Sequence, residues 1–199
     1  MSKGRLEAFS DGVIAIIITI TILLIDLPNG NDWPDLLGIM PLVVCYFISF
    51  VVVGVNWVNH HHLFQVCGQV DGKILWANLL YLFLLSFLPV TTGWVGKSQF
   101  AMIPVRVYVI MNLAGALSYC LLEGAIIHSN DCEILKKAVR ESRKEQWTIC
   151  IELVALALSF VPGFHYASCP LLVVAVAPWI IPDLRMKKVF EEARRRDKN

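Results

Sequence analysis

Six apolar stretches, each near the length that crosses the hydrocarbon of a bilayer, divide this chain at residues 6–27, 36–58, 74–95, 103–127, 147–161 and 169–181. A spanning helix needs roughly 20 apolar residues, because no water is present to satisfy its backbone. The pattern therefore predicts an all-α membrane protein with six transmembrane helices per chain. Composition agrees, since 57% of the 199 residues are hydrophobic and only 17% are charged, where a soluble domain carries about a quarter. A mean hydropathy of +0.64 points the same way. The fifth and sixth stretches are short: Pro162-Gly163 predicts a tight turn between them, and Pro178 and Pro182 bend or end the last helix. The first stretch reads as a span rather than a cleavable leader, because it lacks a small-residue cleavage site and Asp11 interrupts its start.

The net charge of +1 hides an asymmetry. Lys3 and Arg5 at the amino terminus, Lys73, the group Lys136, Lys137, Arg140, Arg143 and Lys144, and the tail from Arg185 to Lys198 alternate with connections holding little besides Lys97 and Arg106. By the positive-inside rule both termini are cytoplasmic, and an even number of spans, which puts them on one side, agrees. The chain thus divides into a transmembrane domain over residues 1–184 and a basic helical tail over 185–199, which reads as a solvated end touching anionic headgroups. Nothing here suggests a nucleic-acid partner. Of the six cysteines, Cys45, Cys120, Cys150 and Cys169 lie in apolar segments, where a thiol behaves as a small hydrophobe. Cys67 and Cys132 lie in polar stretches without paired metal-ligand spacing.

The first stretch opens on Arg5-Leu6-Glu7-Ala8-Phe9-Ser10-Asp11 and continues as a run of Ile and Thr. At helical period Ile16, Ile20 and Leu23 share a face, with Thr19 beside them and Gly12 a turn below Ile16. Such a stripe by itself suits lipid or a neighbouring helix. The charges at its mouth are costly in a membrane and mark a functional position. Arg5, Ser10 and Asp11 are expected to satisfy one another and fix the helix where it enters the bilayer. The end of the second stretch carries Asn56, Trp57, Asn59 and the run His60-His61-His62. Adjacent helical residues point about 100 degrees apart and cannot all grasp one ion, so no metal site is expected. One imidazole instead turns inward to the Arg5/Ser10/Asp11 cluster while the others face solvent.

Arg5-x-x-x-Phe9-Ser10-Asp11 followed by an Ile/Thr-rich helix resembles the signature of the transmembrane protein 175 family, lysosomal-type potassium channels and their bacterial relatives. Trp57-x-x-His60-x-x-Leu63-Phe64, with Asp71, Asn78 and Phe87-Leu88-Pro89, is similar to the second and third helices of the same family. The resemblance covers roughly the first ninety residues. It implies that the first helix lines a central pore formed by four repeats. With one copy of the Phe-Ser-Asp block, the chain resembles the bacterial single-repeat form, so a homotetramer in the inner membrane is implied. By position, the pore constriction then falls on Ile16, the hydroxyl layer on Thr19 and the rest of the apolar lining on Ile20 and Leu23. Arg5, Phe9, Ser10, Asp11, Trp57, His60 and Asn78 form the structural polar network behind it.

What the resemblance implies is a potassium-selective or potassium-preferring channel with a hydrophobic gate. No cofactor is implied beyond permeant potassium, and monovalent cations, protons and membrane lipids are the other partners. The sequence has no Thr-Val-Gly-Tyr-Gly filter and no arginine-repeat voltage sensor. Nor does it have a nucleophile-base arrangement, a Gly-rich phosphate loop or a Cys-x-x-Cys motif, so enzyme activity is not expected. The alternatives are a proton-permeable cation channel and a small secondary transporter, the latter disfavoured because broken helices and an inverted repeat are missing. Asp26 closes the first helix on the outer side, where it could concentrate cations. Glu123 and Glu152 read as interfacial carboxylates that reach headgroups or pair with Arg140 or Arg143.

Overall fold

The computed structural model describes residues 2–130 and 143–180. Lys136, Lys137, Arg140, Cys132, Pro182 and the basic tail lie outside the described residues, and with them the helical reading of that tail. Among the described residues every regular element is a helix and none is a strand. The helices are α1 (Lys3–Leu23), the short α2 (Trp33–Gly38), α3 (Met40–Val66), α4 (Gly72–Leu85), α5 (Leu88–Lys97), α6 (Met102–Asn130), α7 (Lys144–Leu158) and α8 (Ser168–Ile180). Four segments are long and apolar enough to cross a membrane: Lys3–Leu23, Met40–Gln65, Gly72–Lys97 and Met102–Asn130. The stretches expected fifth and sixth are the shorter α7 and α8, which pack on each other around a turn where Gly163 adopts φ +83°. That left-handed conformation suits a residue without a Cβ. Pro178 does not end α8, which runs on to Ile180.

The third stretch is not one straight helix. It is interrupted at Ser86-Phe87 and resumes as α5, whose first turn holds Pro89 where the missing N–H has no intrahelical partner to lose. At Gly96 of α5 an added Cβ would sit 2.7 Å from the Leu42 Cα, so the absence of a side chain lets α5 lie directly on α3. Ser49 Oγ joins Thr92 Oγ1 at 2.6 Å and the Tyr108 hydroxyl at 2.7 Å, tying α3, α5 and α6 in the interior. Such bonds hold spanning helices together where the hydrophobic effect does not distinguish a neighbouring helix from lipid.

One end of the bundle gathers the amino terminus, the α3–α4 connection and the end of α6. Lys3 Nζ donates to the Gln65 carbonyl at 3.2 Å. Asn130 Oδ1 accepts from the Gly68 and Gln69 amides at 3.0 and 2.7 Å. Asp71 caps α4 by accepting from the Ile74 amide at 2.9 Å and also accepts from Ser129 Oγ at 2.7 Å. At the other end Lys97 pairs with Asp26 at 2.8 Å, an ion pair open to solvent on both sides. Arg106 lies there too, 3.8 Å over the Phe160 ring. Glu123 and Glu152 do not reach headgroups: both are buried among helices.

Candidate functional site

The first helix divides into two faces. Leu6, Ser10, Ile14, Ile17 and Thr21, at successive steps of four or three residues, are buried against the rest of the chain. α1 packs chiefly on α3, α4 and α5, which puts it at the side of the bundle. The opposite face carries the expected stripe and is bare in the single chain: Ile16 is 56% exposed, Ile20 45% and Leu23 79%, with Thr19 and Gly12 exposed beside them. Thr19 Oγ1 donates back to the Ala15 and Ile16 carbonyls at 2.8 and 3.1 Å, which spends its hydrogen and leaves its oxygen as an acceptor.

Behind that stripe the polar side chains form a directed series. Ser10 Oγ donates to the Leu6 carbonyl at 2.9 Å, Asn78 Nδ2 donates to Ser10 Oγ at 2.9 Å, and His60 Nε2 meets Asn78 Oδ1 at 2.8 Å. All three side chains are buried, His60 to 1% exposure. The imidazole is sandwiched between Phe64, at 4.6 Å between centroids, and Tyr81, at 5.8 Å and nearly parallel. So α1, α3 and α4 are bolted together by one residue from each. A second link lies nearer the surface, where Trp57 Nε1 donates to Asp11 Oδ1 at 2.8 Å and its ring stacks on His61.

His60 thus turns inward as expected, though it reaches Ser10 only through Asn78. His61 is exposed and bonded to Gln65 Nε2 at 2.7 Å, and His62 is half-buried. Among the described residues no group of three His, Cys, Asp or Glu is placed to hold a metal ion. The expected pairing of Arg5 with Asp11 is not made within the chain. On a helix Arg5 shares a face with Phe9 and Gly12, not with Asp11, and the Trp57 indole takes the carboxylate instead. Arg5 is exposed and its guanidinium makes no hydrogen bond or ion pair among the described residues, and Phe9 is half-exposed.

Sequence reasoning missed two further polar groups. The Ser49–Thr92–Tyr108 cluster joins residues scattered over three helices, with no spacing to betray it. Asn56 accepts from the Tyr81 hydroxyl at 3.2 Å and continues the polar seam one turn from His60. At the α4 cap, the Ile74 amide and the Ser129 hydroxyl hold the Asp71 carboxyl below its ordinary value.

The sequence profile of the family described as "Endosomal/lysosomal potassium channel TMEM175" matches residues 5–89. The chain is similar to a potassium channel from a Chryseobacterium species, 44% identical over 193 residues and covering 96% of this chain and 100% of that protein. It is also similar to the rat endosomal/lysosomal proton channel TMEM175, 32% identical over 162 residues, which cover 73% of this chain and 32% of that longer protein. Among solved structures it is similar to a lysosomal potassium-selective channel TMEM175 homolog from Chamaesiphon minutus. That match has a TM-score of 0.77 and 28% identity, covering 92% of this chain and 97% of the other.

Proposed function

The chain belongs to the TMEM175 family, whose members are ion channels and not enzymes, and on that premise we propose that it is a potassium channel whose path is enclosed by four copies of α1. The observation that carries this reading is the bare face of α1. Ile16, Thr19, Ile20 and Leu23 are exposed on a helix whose opposite face is anchored by buried hydrogen bonds. A single helix cannot enclose a path through lipid, and a closed ring of identical chains can. In that ring Ile16 is the narrowest point. Four isoleucines dewet when close together and admit a partly dehydrated cation when the helices part. Potassium sheds water more readily than sodium, and the Thr19 oxygens offer replacement ligands just beyond the constriction. The Ser10–Asn78–His60 series and the Trp57–Asp11 bond set the angle of each pore helix on its own subunit.

Each subunit is read as six spans, with α7 and α8 as the last two. Lys3, Arg5, Lys73, Arg143 and Lys144 outnumber Lys97 and Arg106 at the opposite end, which favours cytoplasmic termini in a bacterial inner membrane. The test is purified protein in a planar bilayer under opposed potassium and sodium gradients. The expected result is stepwise single-channel current reversing toward the potassium equilibrium potential. Flux without resolvable steps would instead indicate a stoichiometric transporter and overturn the reading. A proton-permeable channel is the second reading, favoured by the name of the rat relative, and a reversal potential that follows an imposed pH gradient would support it.

A further inference from the structure

A cavity of about 620 Å³, counting its mouth, lies within each subunit, between α3, α6, α7 and α8 and away from α1, with none of the proposed pore residues in its wall. Glu152 of α7 lines it, is 4% exposed, and has an Oε2 that meets no hydrogen-bond partner among the described residues. An ionised carboxylate in such surroundings is costly unless a cation meets it.

The other polar groups of the wall favour the same charge. The donors of Tyr119, Thr148 and Trp179 are spent: the Tyr119 hydroxyl on the Asn59 carbonyl at 3.3 Å, Thr148 Oγ1 on the Ala175 carbonyl at 3.0 Å, and the Trp179 indole on Thr148 Oγ1 at 2.9 Å. Asn56, Asn59 and Asn112 turn their nitrogens back to the carbonyls of Val52, Val55 and Tyr108, and since Asn56 Oδ1 accepts from Tyr81, the amide oxygens of Asn59 and Asn112 are the ones left to face a ligand. The wall thus presents the Glu152 carboxylate and two amide oxygens, with Glu145 of α7 also in the lining. A bare metal cation would need a cage of oxygens, yet much of the wall is Val52, Leu88, Met111 and Val176 together with the rings of Tyr119 and Trp179. A ring attracts a cation over its face, as Trp179 does the Lys144 ammonium at 5.6 Å, and aliphatic groups suit a hydrocarbon body.

We propose that this cavity is a binding site for a compact organic ammonium, its charged head on Glu152 and its apolar body against Leu88, Met111 and Trp179. The site is separate from the pore and its occupancy does not depend on the conduction mechanism.

The test uses the full chain in lipid nanodiscs and isothermal titration with cyclohexylammonium, with cyclohexanol as the neutral comparison. Saturable binding of the amine and none of the alcohol is expected, and Glu152→Gln should weaken the amine at least tenfold. Gly115 borders the cavity, and a Cβ there would meet only Leu85 Cδ2, at 3.9 Å. Gly115→Leu should therefore fill the space and abolish binding, and it decides the matter if Glu152→Gln fails to fold. Absence of saturable binding in the unaltered chain would overturn the proposal, as would undiminished binding in Gly115→Leu or in a folded Glu152→Gln. Loss of the amine in Ile16→Asn with retention in Gly115→Leu would locate it in the pore instead, and would leave the channel reading intact.

Discussion

The direction of three hydrogen bonds fixes the proton on one histidine nitrogen. Ser10 gives its hydrogen to the Leu6 carbonyl and so can only accept from Asn78 Nδ2. The Asn78 oxygen then faces His60, which must carry hydrogen on Nε2. Asn78→Leu removes both a donor and an acceptor from the middle of the series, leaving the His60 Nε2 hydrogen unmatched and Ser10 with only its bond to the Leu6 carbonyl. Each buried orphan costs about 1–3 kcal/mol. Thermal unfolding in nanodiscs should show a clear fall in midpoint for Asn78→Leu and almost none for His61→Ala, whose side chain is at the surface. Equal falls would mean that the buried series does not hold α1. Thr19 gives a second residue-level outcome. Its oxygen is turned outward because its hydrogen is held by the Ala15 and Ile16 carbonyls, so Thr19→Val should lower the potassium-over-sodium ratio read from reversal potentials without abolishing current. The inward turn of one histidine was legible in the sequence, because three neighbours on a helix must diverge. Asn78 joined it in the expected network only through the family resemblance, because it lies in another helix and no local rule couples the two.

At the scale of the element, α1 is one sequence read by two environments. Ile16 and Ile17 are adjacent and chemically identical, yet Ile16 is 56% exposed and Ile17 only 3%. The same polar substitution should therefore separate their roles. Ile16→Asn should assemble normally and raise current for several cations, because a polar side chain removes the cost of holding water at the constriction. Ile17→Asn places an amide in the packed face and should cost about 2–5 kcal/mol through lost packing and an unmatched polar group, seen as lower yield and melting temperature before any change in conduction. Unaltered current in well-assembled Ile16→Asn would remove α1 as the gate. Helix ends are tuned separately. The Asp71 carboxyl, held below its unfolded value of 3.8 by the Ile74 amide and Ser129, contributes stability that is present above that pH and lost as pH falls below it through the folded value. The protection of amides at the start of α4, relative to their intrinsic exchange rate at each pH, should fall over that acidic range in the unaltered chain. Asp71→Asn should flatten the dependence.

Across the whole molecule, the positions of the first four spans could be read directly, because length and apolarity are properties of each segment alone. The interruption at Ser86-Phe87 was not read, since Phe87-Leu88-Pro89 sits inside an otherwise continuous apolar run. The burial of Glu123 and Glu152 was missed for a related reason: whether a carboxylate near a helix end meets headgroups or a neighbouring helix depends on how α6, α7 and α8 pack. The face of α1 was legible as a stripe, but a single chain leaves its covering open, and only assembly assigns it to water, ions or lipid. Mixing subunits tests that assignment. If one Ile16 side chain from each of four chains shares the constriction, unaltered and Ile16→Asn chains produced together should form channels with more than one current level between the two pure forms, because each added asparagine hydrates the ring further. A dimeric pore would give a single intermediate level. A path contained within each chain would give only a blend of the two pure currents. Single-channel recordings from co-expressed, separately tagged chains purified over both tags distinguish these outcomes, and the tetrameric ring requires the first.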